Sequence, residues 1–354
     1  MLKIGIVGLP NAGKSTLFNA LVEKGKAQTG KFPFTTIDKN IGVVPIPDPI
    51  LFDLAKMANI EKVTQTAITF VDIAGLVKDA HQGEGLGNQF LAHIREVDLI
   101  LHVVRFFTDE TVPHVHSKID PQEDLAIVET ELLLADVESL KKQLEKLGKD
   151  KKTKEDEQLE TLGQKILQQL NSGKMGKDIS LSEEEKELTK LFHLLTFKPM
   201  VCIANIDEKD LKNPEKQISG KPTLSLCAKF EEELALLPWT EQRQFLKTYG
   251  LSSSAIESVI ERCYHTLEII TFYTIAGGKE ARAWTIGKGA TTQEAAGKIH
   301  SDFAKHFIKA EIISAPLLLQ IGSWSKAHEI GKVALVGRDH LVQDKDVIQF
   351  KVGV

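Results

Sequence analysis

Residues 2–16 read Leu2-Lys-Ile-Gly-Ile-Val-Gly8-Leu-Pro-Asn-Ala-Gly13-Lys14-Ser15-Thr16. The first part, 2–8, is apolar, rich in β-branched residues and closed by glycine, the signature of a buried strand. Positions 8–15 then satisfy G-x-x-x-x-G-K-[ST] in full, and 14–23 read as a helix. Strand, glycine loop and helix in that order form a phosphate cradle. The glycines let the main chain close on the anion, and N–H groups at the helix start face it. Lys14 is expected to neutralise the β and γ phosphates and Ser15 to offer its hydroxyl to Mg²⁺.

Further along, 66–72 (TAITFVD), 98–104 (DLILHVV), 200–204 (MVCIA) and 222–226 (PTLSL) are short apolar runs separated mostly by helical stretches. That alternation predicts an α/β fold with a doubly wound, mostly parallel sheet. Asp72 closes the second of these strands, in Asp72-Ile-Ala-Gly75, where a carboxylate can hold a Mg²⁺ shell and the Gly75 N–H can meet a γ phosphate. Between the loop and this strand lies Phe32-Pro-Phe-Thr-Thr36. A threonine there can reach Mg²⁺ when a triphosphate is bound, which makes 30–38 a candidate switch.

The whole chain has 354 residues, enough for two or three domains, and a formal net charge of −5 that excludes a polycation. Cys202, Cys227 and Cys263 are far apart with no CxxC pair, which suits a reducing compartment and no zinc site. No signal peptide and no apolar run of membrane-spanning length is read, so a cytoplasmic protein is expected.

The middle has a different texture. No aromatic residue falls between Phe107 and Phe192, and Leu133, Val137, Leu140, Leu144 and Leu147 repeat at alternating steps of four and three. This is a coiled-coil seam, and Leu159, Leu162, Ile166 and Leu170 resume helical spacing after a Lys-rich turn. Two helices forming an antiparallel arm are predicted, with mixed charge suited to a solvated face or a docking surface. After about 275 the texture changes again. Strands are expected at Ala281–Ile286, Val333–Val336 and Val347–Val352, with a helix near Gln293–His300, forming a compact α/β unit.

With these residues in view, GLPNAGKST, FPFTTI, VDIAGLV, GEGLGNQFL and RAWTIGKGATTQEAAGKIHSDF together resemble the YchF/Obg-like ATPase family, from the first strand to the last residues. The resemblance implies a nucleotide-binding domain in two parts (1–130 and 198–276), an inserted antiparallel coiled-coil arm (131–197) and a C-terminal TGS domain of ubiquitin-like, β-grasp fold (277–354). It implies ATP hydrolysis, places Asn11, Ala12, Gly13, Lys14, Ser15 and Thr16 on the phosphate loop, and puts Ser15 and Thr36 on magnesium positions beside Asp72. Thr35 departs from a cysteine frequent in the family, so redox control through that thiol is not expected.

Guanine-specific relatives use N-K-x-D, whose Asp accepts two N–H bonds from guanine. The equivalent stretch here is Asn205-Ile206-Asp207-Glu208. Ile206 replaces the lysine and the longer Glu208 the aspartate, so ATP is expected over GTP. Leu226, Cys227 and Ala228 are expected to line the base pocket through their main chain. Leu76 stands where Ras-like enzymes carry a water-orienting glutamine. His114 matches a family position proposed to act in hydrolysis, with His81 as the rival. Asn11 suits a K⁺ ion that supplies positive charge at the phosphates.

The TGS resemblance also implies contact with the ribosome, through the large subunit or the whole particle, and with rRNA. Lys279, Arg282, Lys288, Lys298, Lys305 and Lys309 form a basic set there, with Trp284 and Phe303 able to stack or pack. A monomer without membrane attachment is expected. Two alternatives stand beside the ATPase reading: an Obg-type GTPase, and an ATP-gated regulatory module whose hydrolysis is incidental.

Overall fold

The N-terminal apolar run is strand β1 (Leu2–Val7), with Ile4, Ile6 and Val7 fully buried, and it leads through the glycine loop into helix α1 (Lys14–Thr29). The computed structural model describes residues 2–29, 36–38, 40–73, 86–114, 118–148, 153–218, 221–275 and 279–353. The chain divides into two units, Met1–Val44 with Thr69–Val259, and Pro45–Ile68 with Ile260–Val354.

In the first unit, β2 (Thr36–Asp38) and β3 (Ile41–Pro45) follow α1. Helix α2 (Pro49–Met57) and β4 (Val63–Thr64) come next in the chain but belong to the second unit. The first sheet resumes with β5 (Ala67–Asp72), then α3 (Leu86–Arg95), β6 (Leu99–Arg105), α4 (Pro121–Leu147), α5 (Lys154–Asn171), α6 (Glu183–Thr189), β7 (Met200–Asn205), β8 (Lys216–Ile218), β9 (Lys221–Leu226), α7 (Ala228–Leu236) and α8 (Trp239–Thr248). Helix α9 (Ala255–Thr266) bridges the two units in sequence.

The strand order is β2-β3-β5-β1-β6-β7-β9-β8. β1, β6, β7 and β9 pair in parallel, while β2–β3 and β8–β9 are antiparallel edges. Every residue of β6 is buried, as expected of a central parallel strand covered on both faces. The expected strands are therefore present, in a mixed sheet with a parallel centre.

Helix α4 starts at Pro121, ahead of the position 131 at which the sequence places the arm. Asp120 caps it by accepting from the Gln122 and Glu123 amides. Its first half packs Val128, Leu132 and Ala135 against Val7, Leu9, Ile94 and Ile100, so this half belongs to the core of the sheet. Its second half turns Val137 and Leu140 to Leu162, Ile166 and Leu170 of α5, with Leu133, Leu144, Leu147 and Leu159 around them. Gly163 allows the close approach: a Cβ there would lie 2.7 Å from Leu144 Cδ2. Buried Asp136 ties the returning chain to α4, accepting from the Leu195 amide (2.8 Å), the Thr196 amide (2.7 Å) and Thr196 Oγ1 (2.7 Å).

In the second unit, β10 (Ile269–Thr274), β11 (Ala281–Gly287), α10 (Thr292–Ile299), α11 (Ser301–Lys305), β12 (Phe307–Ser314), α12 (Ala315–Ile321), α13 (Trp324–Glu329), β13 (Ala334–Val336) and β14 (Asp346–Val352) form the order β13-β12-β14-β10-β11, with β4 at the far edge. β10 pairs antiparallel with β11 and parallel with β14. Leu51 and Leu54 of α2 pack with Tyr273, Ala281, Ala283 and Leu318, which is why 45–68 clusters here and not with the nucleotide sheet where the sequence places it. Strand β10 also begins before residue 277, the expected start of this unit. Trp284 and Phe303 pack against the core of Phe272, Ile286 and Phe307, and the Arg282 guanidinium stacks on Trp284 at 4.0 Å.

Candidate functional site: a phosphate loop, its metal position and a braced loop

Three residues of the loop between β1 and α1 have positive φ: Gly8 at 151°, Asn11 at 63° and Gly13 at 94°. At Gly8 a Cβ would collide with the Val103 carbonyl, and at Gly13 with the Asn205 side chain. Both glycines are thus required by close approach as well as by backbone angle. Lys14, 8% exposed, donates from Nζ to the Leu9 carbonyl at 2.9 Å. Burial pushes its ammonium below the usual lysine range, and the Asp72 charge partly restores it.

Ser15 Oγ donates to Asp72 Oδ2 at 2.7 Å, while Asp72 Oδ1 is buried without a hydrogen-bond partner among the described residues. A hydroxyl against one carboxylate oxygen, with the other oxygen unsatisfied, fits the donor set of a hard divalent cation such as Mg²⁺. Of the remaining expected γ-phosphate and metal residues, Thr36 lies in β2 with its side chain outside the described residues, and Gly75, Leu76 and His81 lie outside them altogether.

The base-side segment is pinned to the phosphate loop by one amide. Asn205, 4% exposed, donates from Nδ2 to the Ala12 carbonyl (2.9 Å) and accepts at Oδ1 from the Ala228 amide (2.9 Å). Ile206, Cys227, Glu208 and Asp207 lie around it. Ile206 is enclosed with Leu211, Phe230 and Leu234, and its amide donates to the Leu226 carbonyl at 2.8 Å, so its side chain is core. Cys227 is buried at the N-cap of α7, and burial raises its thiol above the usual range. Glu208 Oε1 accepts from the Tyr249 hydroxyl at 2.7 Å, and Asp207 Oδ2 accepts from the Thr108 amide (3.1 Å) and hydroxyl (3.0 Å).

His114 does not stand alone. Its Nε2 lies 3.1 Å from Asp124 Oδ2 in the first turns of α4, and both side chains are buried. The preceding residue, Pro113, accepts from Asn11 Nδ2 at 3.0 Å, so His114 is one residue from a direct contact with the phosphate loop.

Sequence reasoning missed two side chains. Arg105, 2% exposed at the end of β6, sends its guanidinium into the segment 106–113. His102 lies within β6 opposite Val7 and Cys202, 1% exposed, with neither ring nitrogen bonded among the described residues. Burial, aided by the charges of Lys14 and Lys177, pushes its pKa down to about 3. The only signal for either was a polar residue inside LILHVVR, a strand otherwise wholly apolar.

The chain as a whole is similar to known proteins. A family model described as a 50S ribosome-binding GTPase matches residues 3–205, and the YchF-GTPase_C model, described as a protein of unknown function (DUF933), matches 269–353. The chain is 42% identical over 367 residues to the ribosome-binding ATPase YchF of Bacillus subtilis, covering 100% of each chain. It is 43% identical over 362 residues to that of Haemophilus influenzae, covering 99% of each. The solved structure of the Schizosaccharomyces pombe YchF GTPase superposes with a TM-score of 0.86 at 33% identity, covering 99% of this chain and 97% of that one.

Proposed function

The chain belongs to the YchF family, and on that premise we propose that it is a ribosome-binding ATPase, a switch that binds and hydrolyses ATP. The observation that carries the nucleotide chemistry is the Ser15–Asp72 contact of 2.7 Å beside buried Lys14. Mg²⁺ held by Ser15, Asp72 and Thr36 would neutralise charge on the β and γ phosphates. Lys14, Gly75 and the amides of Asn11 to Thr16 would hold the phosphoryl oxygens, and His114, its ring oriented by Asp124, would orient the attacking water. A K⁺ ion on Asn11 would add positive charge to the same end of the site.

The preference for ATP is supported by Glu208. Its Oε1 accepts from the Tyr249 hydroxyl, while Asp207 Oδ2 accepts from Thr108, so each carboxylate has a protein partner that a guanine-reading group would have to give up. Asn205, Ala228 and the main chain at Ile206 and Cys227 would then surround the base. A GTPase is the second reading, favoured by the names of the fission-yeast structure and of the two family models. Titrating nucleotide-free protein with fluorescent ATP and GTP in Mg²⁺ and K⁺ decides between them: tighter ATP binding is expected, and tighter GTP binding would overturn the assignment.

We read α4 and α5 as the coiled-coil arm and the second unit as a TGS domain. The β10–β11 hairpin with β14 parallel to β10 supports a β-grasp reading of that unit. Among the described residues no helix is long and apolar enough to cross a membrane, and a cytoplasmic monomer that meets the ribosome and its rRNA accords with this reading. ATP turnover that rises on adding ribosomes is the expected result. Turnover indifferent to ribosomes would favour an ATP-gated binding module.

A further inference from the structure

We propose that Arg105 is a positioning residue for ATP hydrolysis, holding the loop that carries His114 in one frame with the phosphate loop. This rests on the reading of His114 given above. Arg105 closes β6, and the chain beyond it runs from 106 to 114 without regular structure, where main-chain carbonyls lack the ladder a helix or strand would supply, although that of Asp109 also accepts from the Val112 amide at 3.2 Å. The guanidinium supplies them. Its Nε donates to the Phe107 carbonyl (3.3 Å), Nη1 to Pro113 (3.4 Å), and Nη2 to Asp109 (3.2 Å) and Val112 (2.9 Å). Its plane lies over the Phe107 ring at 4.3 Å.

The acceptors are neutral carbonyls. The Asp109 carboxylate is exposed, and its Oδ1 is engaged by the Thr111 amide and hydroxyl. Burying a cation against carbonyls and a ring face, with the exposed Asp109 carboxylate acting on it through charge and not through a hydrogen bond, is unfavourable next to an apolar residue of similar size. The strand itself therefore gives no reason for an arginine, whereas the loop does: only a planar fork of five donors reaches four acceptors at once.

The loop so held touches three parts of the site. The Phe106 and Phe107 amides donate to the Asn205 carbonyl (2.9 and 3.1 Å), Thr108 binds Asp207, and Pro113 shares its carbonyl between Arg105 and Asn11. His114 follows directly. Arg105 thus acts on the reaction through His114 and touches no nucleotide itself.

The test is a double-mutant cycle on the full chain, with ATP turnover and equilibrium ATP affinity measured separately. Arg105→Met should lower kcat roughly tenfold or more while ATP affinity stays near the parent value, because a small displacement of an orienting group is costly. Arg105→Lys should recover part of the loss. In a His114→Ala background neither substitution should lower kcat further. Parental kcat in Arg105→Met, or equal losses of affinity and kcat, would overturn the proposal. So would losses that multiply with a slow His114→Ala enzyme, which would leave the His114 reading intact. Parental turnover in His114→Ala overturns that reading and this one together. If Arg105→Met does not fold, the same cycle on Arg105→Lys decides: a loss in the parent and none in the His114→Ala background.

Discussion

The two units of this chain treat buried polarity in opposite ways. Among the described residues, the nucleotide unit buries Lys14, Lys24, His102, Arg105, Asp124, Glu131, Asp136, Asn205 and Glu231, with four hydroxyl residues besides, whereas the buried polar residues of the C-terminal unit are Thr292 and Asp346. Sheets and apolar clusters of ordinary kind hold both units together. A buried polar group costs stability unless it is bonded, and a buried charge costs more. The nucleotide unit thus departs from simple packing at particular places. Its polar interior gathers where main chain must be held in irregular form, as at Arg105 and Asp136, and where an anion is to be met, as at Lys14.

The comparison breaks most visibly at Lys14. Replacing it with Met keeps the apolar stem and removes the ammonium that burial already disfavours. ATP turnover should fall roughly 10²–10³-fold, the scale of losing one electrostatic stabiliser, while the melting temperature of the nucleotide-free protein stays level or rises. A lowered melting temperature would mean that the bond to Leu9 and the Asp72 charge hold the loop itself, and Lys14 would move from chemistry to architecture.

Asp136 tests the architectural kind. Asp136→Ala leaves the Leu195 and Thr196 amides buried without their acceptor, which should cost about 3 kcal/mol. ATP affinity should be unchanged. A loss of affinity on this scale would show that α4 transmits strain to the site, and the division between the two kinds of buried group would not hold.

His102 sharpens the comparison through pH. Its folded pKa is pushed down to about 3 from 6.5. Below the unfolded value the denatured chain takes up a proton that the native ring refuses, so the unfolded state binds more protons throughout that window. The stability that neutral His102 represents is complete above 6.5 and is lost as pH falls toward the folded value, at a slope of at most about 1.4 kcal/mol per pH unit. His102→Leu should flatten this acid limb, seen as urea midpoints that diverge from the parent's near pH 5 and approach it near pH 7. Midpoints that stay parallel would show that His102 is protonated in the native protein.

These residues also mark how far the sequence could be read. The phosphate loop was legible because backbone angle and close approach leave few residue choices at Gly8 and Gly13, and the cradle is local in the chain. The seam of α4 and α5 was legible because helical spacing survives in a string of leucines. What stayed hidden depends on distant partners. Residues 45–68 have ordinary amphipathic texture, and nothing in them says that Leu51 will meet Tyr273. Ile206 stands where the guanine-specific motif carries lysine, and nothing local in the sequence says that its side chain packs with Leu211, Phe230 and Leu234. Arg105 closes and His102 interrupts a strand whose apolar pattern is otherwise so strong that neither polar residue alters its reading. Polar residues inside an apolar run deserve the question that Asn205 answers: which distant backbone groups do they bond?

The C-terminal unit supplies the smallest effect and the control for the rest. Thr292 is fully buried, and its Oγ1 donates to the Gly337 carbonyl (2.6 Å) and lies 3.1 Å from that of Arg338. Thr292→Val preserves shape and removes that donor. Both carbonyls keep another partner, since Gly337 accepts from the His340 amide (3.4 Å) and Arg338 from the Gln293 amide (3.2 Å). The Thr292 amide likewise keeps the His340 carbonyl at 2.9 Å. No main-chain group is orphaned, so the loss should be that of one ordinary hydrogen bond, about 1 kcal/mol, read from the urea midpoint of this unit, with ATP turnover untouched. A cost matching that of Asp136→Ala would mean that the second unit depends on its few buried polar groups as heavily as the first does on its many. The contrast would then be one of number and not of kind.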